Sequence, residues 1–254
     1  RSRTCPSQRI GRTARPPGKR AAAGVWPTTD PNGFDAPHTP ADMQIGADEA
    51  GKGPVLGPMV AAAVRAPADA VPDGVDDSKR LAPSRRRELA DRLRDDAAVD
   101  VSVAVVSPAR IDDPETDMNG LTVAGQVEAI AAVAGDDDSV VVDAGDVDAG
   151  RFGRKVGAGV DAAVTVRSEH RADERYPHVA AASVVAKVHR DARIEALADA
   201  YGEVGSGYPS DERTRTFLAE YVRENGELPA CARASWSTCD DVLAAAEQSS
   251  LADF

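Results

Sequence analysis

The sequence predicts an α/β fold, in which a five-stranded mixed sheet is flanked by helices and followed by a helical C-terminal part. Two observations favour it. From residue 43 onward, short segments rich in Val and Ala alternate with longer segments that carry apolar residues at helical spacing. From residue 178 onward only helical patterns follow. The chain of 254 residues is long enough for one domain of ordinary size, or for a domain with a small appendage, and residues 241–254 are expected to form a C-terminal tail.

Five segments have the composition of strands. The first, MQIGA, is short and ends at Asp48, and the second is rich in Val and Ala. The third, VDVSVAVVS, alternates as a half-buried strand does. The fourth contains the most apolar run of the chain and ends at Asp143, so we expect it to be buried. The strands are expected at 43–48, 55–66, 99–107, 139–145 and 162–169.

Helical patterns occupy the remaining segments. In the first helix Leu89 and Leu93 share one face. Two later helices end at Gly135 and Gly202, because glycine readily closes the last turn of a helix. The helices are expected at 82–97, 121–135, 178–202 and 211–226, with a short one in the tail near 239–248.

Residues 1–42 differ in composition from the rest of the chain. They hold seven of the 17 prolines and show no hydrophobic period, so they cannot bury enough surface to offset the entropy of ordering. We expect a disordered N-terminal extension. The segment also carries seven basic and three acidic residues, which leaves a basic nucleic-acid-binding arm as an alternative.

The remainder is acidic, with 39 acidic and 23 basic residues from Met43 onward. An acidic surface of this kind is typical of a protein kept soluble in concentrated salt. A GC-rich genome, whose codons favour Asp, Ala, Arg and Gly, would give a similar composition. The three cysteines, Cys5, Cys231 and Cys239, form no CxxC pair, and no apolar run has membrane-spanning length. We therefore expect a cytoplasmic protein without a disulfide framework or membrane segment.

The segment GADEAGKGP, residues 46–54, has part of the pattern of a phosphate-binding loop. Gly53 stands where that loop needs Ser or Thr to hold Mg²⁺, and Asp48 and Glu49 would repel phosphate oxygens. Carboxylates are, however, the oxygen ligands that Mg²⁺ and Mn²⁺ prefer. The segment therefore predicts a metal site at a strand end, beside a glycine-rich turn.

Asp143 is a third candidate ligand. It ends the Val-Val-Val strand, and a carboxylate at the end of a buried strand is costly unless it is paired or metal-bound. The nearby Asp146 and Asp148 are interpreted as surface residues, and the acidic run 136–138 as solvated.

Five motifs stand in order along the chain: GADEAGKGPVLGPMV (46–60), DSKRL (77–81), the acid Asp143, HRADERYPHVAAASVVAKVHRD (170–191) and GSGYPSDERT (205–214). Together they closely resemble the ribonuclease HII family, especially its archaeal branch. The resemblance covers about residues 43–240 and implies a ribonuclease H-like fold, with these residues forming one domain that includes the C-terminal helices.

The resemblance also implies which residues act. Asp173 lies in the charged run SEHRADERY, which by itself reads as solvated, and only the resemblance assigns it a role. Lys52 stands where arginine is commoner in the family, so a planar guanidinium group, which can make two parallel hydrogen bonds, is replaced by a compact ammonium group. The implied catalytic and metal-binding residues are Asp48, Glu49, Asp143 and Asp173. The implied substrate-binding residues are Gly51, Lys52, Gly53, Ser78, Lys79, Ser183, Lys187 and Tyr208, with Arg190 as a further candidate phosphate contact.

The implied activity is endonucleolytic hydrolysis of the RNA strand of RNA–DNA hybrids, and incision 5′ of ribonucleotides embedded in duplex DNA, as ribonucleotide excision repair and DNA replication require. Two Mg²⁺ or Mn²⁺ ions would assist, and the products would carry 3′-hydroxyl and 5′-phosphate ends. We expect a monomer. The segment SSLADF lacks the glutamine-led motif of sliding-clamp ligands, although Gln248 lies nearby, so clamp binding is left open.

Three alternatives remain at this point. One is a P-loop nucleotide hydrolase, which Gly53 and the internal acids disfavour. Another is a non-catalytic nucleic-acid-binding module on the same scaffold, which the full set of four acids disfavours. The third is ribonuclease HIII, which usually carries an extra N-terminal domain that residues 1–42 are too short to form.

Overall fold

The computed structural model describes residues 43–75 and 81–252. The expectation of a disordered extension at 1–42 lies outside these residues, as do the candidate substrate contacts Ser78 and Lys79.

Five strands form a single mixed sheet, as the sequence predicts. They are β1 (Met43–Ala50), β2 (Met59–Pro67), β3 (Asp100–Val106), β4 (Ser139–Asp143) and β5 (Thr165–Glu169). Their order across the sheet is β3-β2-β1-β4-β5. Strand β2 is antiparallel to both β3 and β1, whereas β4 is parallel to both β1 and β5. In the parallel pair Ala47 lies opposite Val142, so Asp48 and Asp143 follow at the same edge of the sheet.

Seven α-helices accompany the sheet in the described part of the chain. They are α1 (Pro83–Asp95), α2 (Pro108–Ile111), α3 (Met118–Ala131), α4 (Ala149–Gly159), α5 (Pro177–Tyr201), α6 (Glu212–Asn225) and α7 (Ser237–Ala252). None of them is long and apolar enough to cross a membrane.

The helices cover both faces of the sheet because the strands present apolar side chains in both directions. Val60 and Val64 of β2 pack with Leu89 of α1 and with the Ala- and Val-rich start of α5 on one face. On the other face Ile45 of β1 packs with α3, α4 and β4. A separate cluster joins residues 55–56 to the end of α5 and to the helical C-terminal part, which includes α6. The C-terminal helices are thus packed against the segment that follows β1.

Helix α4 is absent from the expectations because it contains four glycines, which disfavour helices. The close approach of α4 to β5 explains them: a Cβ at Gly153 would lie 2.8 Å from the Cβ of Ser168. Asp148 caps this helix by accepting from the backbone N–H of Arg151. Asp146 is buried and accepts two hydrogen bonds from the Arg151 guanidinium, so its interpretation as a surface residue is wrong.

The second strand is shorter than expected and begins at Met59. Residues 55–58 form a turn in which Gly57 has φ +78°, and Leu56 makes an isolated bridge to Ala232. The apolar composition of the turn reflects burial beneath the C-terminal part rather than membership of the sheet.

The sequence predicts that the acidic run 136–138 before β4 is solvated, and this prediction is wrong for Asp138. Asp138 is 5% exposed and accepts from Arg65 Nε at 2.7 Å and Nη2 at 3.2 Å, and from the backbone N–H of Gly135 at 2.7 Å. A two-pronged arginine contact offsets the cost of burying this carboxylate. Asp136 and Asp137 are exposed, as expected.

Replacing Asp138 with alanine is expected to lower the free energy of unfolding by about 2–3 kcal/mol, because Arg65 keeps its charge and loses a charged hydrogen-bond acceptor. Urea denaturation measures the change. Asp136→Ala is the matched control, since it removes an exposed neighbouring acid that accepts one backbone hydrogen bond, from Ala163 at 3.2 Å, and it should lower stability by about 1 kcal/mol or less. Equal effects of the two variants would contradict the assignment.

Candidate active site

Two of the predicted acids, Asp48 and Glu49, lie near the C-terminal end of the central strand β1, which continues past the predicted end at Asp48 to Ala50. Asp48 is 5% exposed, because β1 is paired with β2 on one side and β4 on the other while α5 covers the face. Its Oδ1 accepts a hydrogen bond from the backbone N–H of Glu49 at 2.7 Å. The Glu49 side chain lies on the opposite face of the strand, toward α3.

A buried glutamine connects Glu49 to the end of β4. Gln126 Nε2 donates to Glu49 Oε2 at 2.7 Å and to the backbone carbonyl of Asp143 at 3.0 Å. Gln126 is fully buried, and among the described residues its Oε1 has no hydrogen-bond partner. Gln126 is not among the site residues that the sequence predicts. The available signal was a polar pair, Thr122 and Gln126, at i and i+4 within the otherwise apolar helix pattern.

Asp173 reaches the same edge of the sheet from the segment after β5. It lies in a short 3₁₀ turn, Ala172–Glu174, and the backbone N–H of Ala172 donates to Asp143 Oδ1 at 2.7 Å. Asp173 is 4% exposed. The interpretation of this charged run as solvated is therefore wrong for Asp173, because the turn folds back against the end of β4 and directs the residue inward.

The cluster is electrostatically unfavourable as it stands. Burial, with a further contribution from Asp143, raises the pKa of Asp48 to about 7. Burial and the neighbouring Asp48 raise the pKa of Glu49 to about 8. Lys187 and Ser183 of α5 oppose the shift at Asp48, with Lys187 Nζ donating to Ser183 Oγ at 2.5 Å. Buried carboxylates of this kind are typical of functional sites.

The residues fit a divalent cation by the chemistry of their donors, since carboxylate oxygens at a rigid strand end suit Mg²⁺ or Mn²⁺. Added positive charge would also relieve the repulsion among Asp48, Glu49 and Asp143. Across residues 43–75 and 81–252, however, no group of three or more His, Cys, Asp or Glu side chains is arranged to hold a metal ion.

Replacing Glu49 with glutamine is expected to stabilise the metal-free protein at pH 8 by more than about 1 kcal/mol, because it removes a buried charge next to Asp48. A folded-state pKa above the unfolded value means that this carboxyl group costs stability as pH rises from about 4.5 to 8. The gain of the variant over wild type should therefore be small at pH 5 and larger at pH 8.

Thermal unfolding in the presence of a chelator, at both pH values, measures this difference. Glu203→Gln is the control, since Glu203 is exposed and lies far along the chain from the cluster. A Glu49→Gln variant that is less stable than wild type at pH 8 would contradict the electrostatic account.

The glycine turn after β1 lies beside the acids and beside Tyr208. Gly51 has φ +86°, and a Cβ there would lie 3.0 Å from the carbonyl oxygen of Pro58. A Cβ at Gly53 would lie 4.0 Å from Tyr208 Cε1. Lys52 Nζ donates to Asn119 Oδ1 at 3.0 Å and to the backbone carbonyl of Gly145, so its side chain ties the turn to α3 and to the segment after β4.

Tyr208 is 40% exposed, and its ring stacks with the buried Arg190, whose guanidinium carbon lies 5.0 Å from the ring centroid. Arg190 Nη2 donates to the carbonyl of Ser206 at 2.7 Å. Arg190, a candidate phosphate contact from the sequence, is thus only 7% exposed and packs against the Tyr208 ring. Tyr208 presents one aromatic face at the rim of the site.

Comparison with known proteins agrees with this geometry. The Ribonuclease HII family model matches residues 45–239. A curated ribonuclease HII from Haloarcula marismortui is 62% identical over 212 residues, which cover 84% of this chain and all of the relative. The crystal structure of ribonuclease H2 from Pyrococcus horikoshii superposes with a TM-score of 0.76 at 38% identity, covering 81% of this chain and 99% of that one.

A third relative is the ribonuclease HII of Archaeoglobus fulgidus, solved as a complex with PCNA. It has a TM-score of 0.71 and 38% identity, and the match covers 78% of this chain and 96% of that one. With the mixed sheet and the buried acids, these matches define a metal-dependent endonuclease of the ribonuclease H class. The chain belongs to the ribonuclease HII family. The resemblance is confirmed, and so is the ribonuclease H-like fold.

The phosphate-loop alternative is wrong. A phosphate loop leads from a strand into a helix, whose N-terminus binds the anion. Here the segment 46–53 ends β1 and turns toward β2, with no helix between them.

Proposed function

We propose that the protein hydrolyses the RNA strand of RNA–DNA hybrids and incises duplex DNA on the 5′ side of an embedded ribonucleotide, leaving 3′-hydroxyl and 5′-phosphate ends. The observation that carries the proposal is the cluster of buried and half-buried acids at the parallel junction of β1 and β4, beside the glycine turn. The same edge of the sheet thus offers a site for cations and an adjoining surface for a ribonucleotide.

Two divalent ions, Mg²⁺ or Mn²⁺, would be held by Asp48, Glu49, Asp143 and Asp173 and would supply an activated water and a counter-charge for the leaving 3′ oxygen. The chain itself keeps these acids in position. Gln126 holds Glu49 next to the end of β4, and the Lys187–Ser183 pair supports Asp48 from α5. Rigid strand ends reduce the reorganisation needed when ions and substrate bind.

Recognition of RNA requires a contact to the 2′-hydroxyl group. Gly51, Lys52 and Gly53 would provide backbone contacts, since a turn without Cβ atoms at its glycines allows the sugar to approach closely. Tyr208 would pack against the neighbouring sugar with its exposed face. The ammonium group of Lys52 donates to Asn119 and to the carbonyl of Gly145, so in this arrangement it is bound within the protein and does not reach a phosphate.

The cellular setting follows from this activity. We propose that the enzyme acts as a cytoplasmic monomer in ribonucleotide excision repair and DNA replication, on hybrids and on ribonucleotide-containing duplex DNA. A sliding clamp is a candidate partner, because the Archaeoglobus fulgidus relative was solved as a complex with PCNA. Gln248 lies near the end of α7, where a clamp-binding segment would have to be tested.

The test of the proposed function uses one labelled duplex that contains a single ribonucleotide and a second, all-DNA duplex of the same sequence. We expect incision of the first duplex only, on the 5′ side of the ribonucleotide, and only when Mg²⁺ or Mn²⁺ is added. End-group analysis should show a 3′-hydroxyl and a 5′-phosphate. Binding without incision under every metal condition would instead favour the non-catalytic module.

A further inference from the structure

The carbonyl groups of the glycine turn point at one buried arginine from the far end of the chain. Arg233 is fully buried, and its guanidinium donates to the carbonyl oxygen of Gly51 at 2.6 Å, of Lys52 at 2.9 Å and of Gly57 at 2.9 Å. Three backbone carbonyls of one loop are thus held by a single planar group with five donors. No expectation from the sequence includes this residue.

The residues around Arg233 extend the same contact. Trp236 Nε1 donates to the carbonyl of Gly53 at 3.3 Å, and the guanidinium of Arg233 lies 5.0 Å from the centroid of the Trp236 ring. The backbone N–H of Arg233 donates to the carbonyl of Val55 at 2.8 Å. Segment 233–236 therefore binds carbonyl groups of residues 51, 52, 53, 55 and 57.

Asp112 anchors this segment from its other side. Its carboxylate accepts from the backbone N–H of Ala234 at 2.8 Å, from the backbone N–H of Ser235 at 2.9 Å and from the Ser235 hydroxyl at 2.6 Å. The arginine is thereby held in register with the turn by contacts within the protein.

The direction of the carbonyls decides the direction of the amide N–H groups. The described residues contain no cis peptide bond, and in a planar trans peptide the N–H points opposite to the C=O. Because the carbonyls of Gly51 and Lys52 point at Arg233, the N–H groups of Lys52 and Gly53 point away from segment 233–236. A turn with these two peptide planes reversed would offer carbonyl oxygens in place of donors.

We propose that Arg233 is a positioning residue for recognition of the ribose: it fixes the two peptide planes of the glycine turn so that the N–H groups of Lys52 and Gly53 donate to the ribonucleotide. The inference rests on the proposed function and names the residue that orients the glycine turn proposed to contact the ribose. Lysine cannot replace the arginine, because a single ammonium group cannot hold three divergent carbonyls in one plane.

The test measures the binding preference for RNA in an Asp143→Asn background, which prevents cleavage. Dissociation constants are determined for the duplex with one ribonucleotide and for the all-DNA duplex, and their ratio is the readout. Arg233→Lys is expected to lower the preference for the ribonucleotide by about tenfold or more, while affinity for the all-DNA duplex stays within about twofold. A general loss of folded protein would reduce both affinities and leave the ratio unchanged.

Trp236→Phe provides a second variant that keeps the apolar ring and removes only the donor to Gly53. It should lower the ratio by a few-fold, and Arg223→Lys, an exposed arginine on α6, should leave it unchanged. An unaltered ratio in folded Arg233→Lys protein, or in Trp236→Phe if the first variant does not fold, would overturn the inference. A parent protein with no preference for the ribonucleotide would overturn the proposed function as well.

Discussion

Replacing Asp143 with asparagine is expected to abolish metal-dependent incision at a ribonucleotide, with a loss of at least about 10³-fold in single-turnover rate. The substitution keeps the size of the side chain, and an asparagine oxygen can still accept from Ala172. What it removes is one negative charge from the acids that would hold the ions. The loss should therefore appear without a change in the fold, as circular dichroism can check.

Asp146→Asn is the matched control for that experiment. Asp146 is a buried acid three residues beyond Asp143, in the segment after β4, and its carboxylate pairs with Arg151. It should keep cleavage within a few-fold of wild type while losing some stability. Equal cleavage by Asp143→Asn and wild type would remove the role assigned to Asp143.

Replacing Gly46 with alanine is expected to destabilise the protein by more than about 3 kcal/mol, and so to leave little folded protein at 37 °C. A Cβ at this position would lie 2.1 Å from the backbone carbon of His178 and 2.2 Å from the backbone nitrogen of Val179. The atoms in the way belong to the backbone of α5, which cannot rotate aside. Strand β1 and helix α5 would have to separate, which opens the core at the acidic cluster.

Gly226→Ala separates this clash from the general cost of losing a glycine. Gly226 closes α6 with φ +73°, and a Cβ there meets nothing within 4 Å. This control should cost only about 1 kcal/mol, from backbone conformation alone. Chemical denaturation of both variants gives the comparison, and similar losses would show that the contact between β1 and α5 is looser than described.

The sheet could be predicted from the sequence because each strand carries its own local signal. The run Val140-Val141-Val142 and the alternation in β3 need no knowledge of the neighbouring strands. Helix α4 could not be predicted in this way, since its glycines are explained only by their distance from β5. A tertiary contact there outweighs the helix propensity of the residues.

The residues of the candidate site also divide into those with a local sequence signal and those that depend on tertiary contacts. Asp48, Glu49 and Asp143 could be selected from the sequence because they lie at the ends of apolar strands, where a carboxylate is costly unless it is paired or metal-bound. The burial of Asp173 depends on a turn that folds against β4, and nothing in its own charged segment indicates this. Gln126 and Arg233 act on groups 77 and 182 residues away, so a pattern read along the chain does not reveal them. The metal-binding and substrate-binding roles stay predictions until the variants are measured.

The distance along the chain between the glycine turn and Arg233 also sets the order of assembly. Closing a loop of 182 residues is entropically slow compared with forming the neighbouring β1–β2 pair. During synthesis the N-terminal elements leave the ribosome first, so the strands and their acids can come together before segment 233–236 exists. On the proposed role of Arg233, the acidic residues of a nascent chain can therefore assemble before segment 233–236 orients the glycine turn that would contact the ribose.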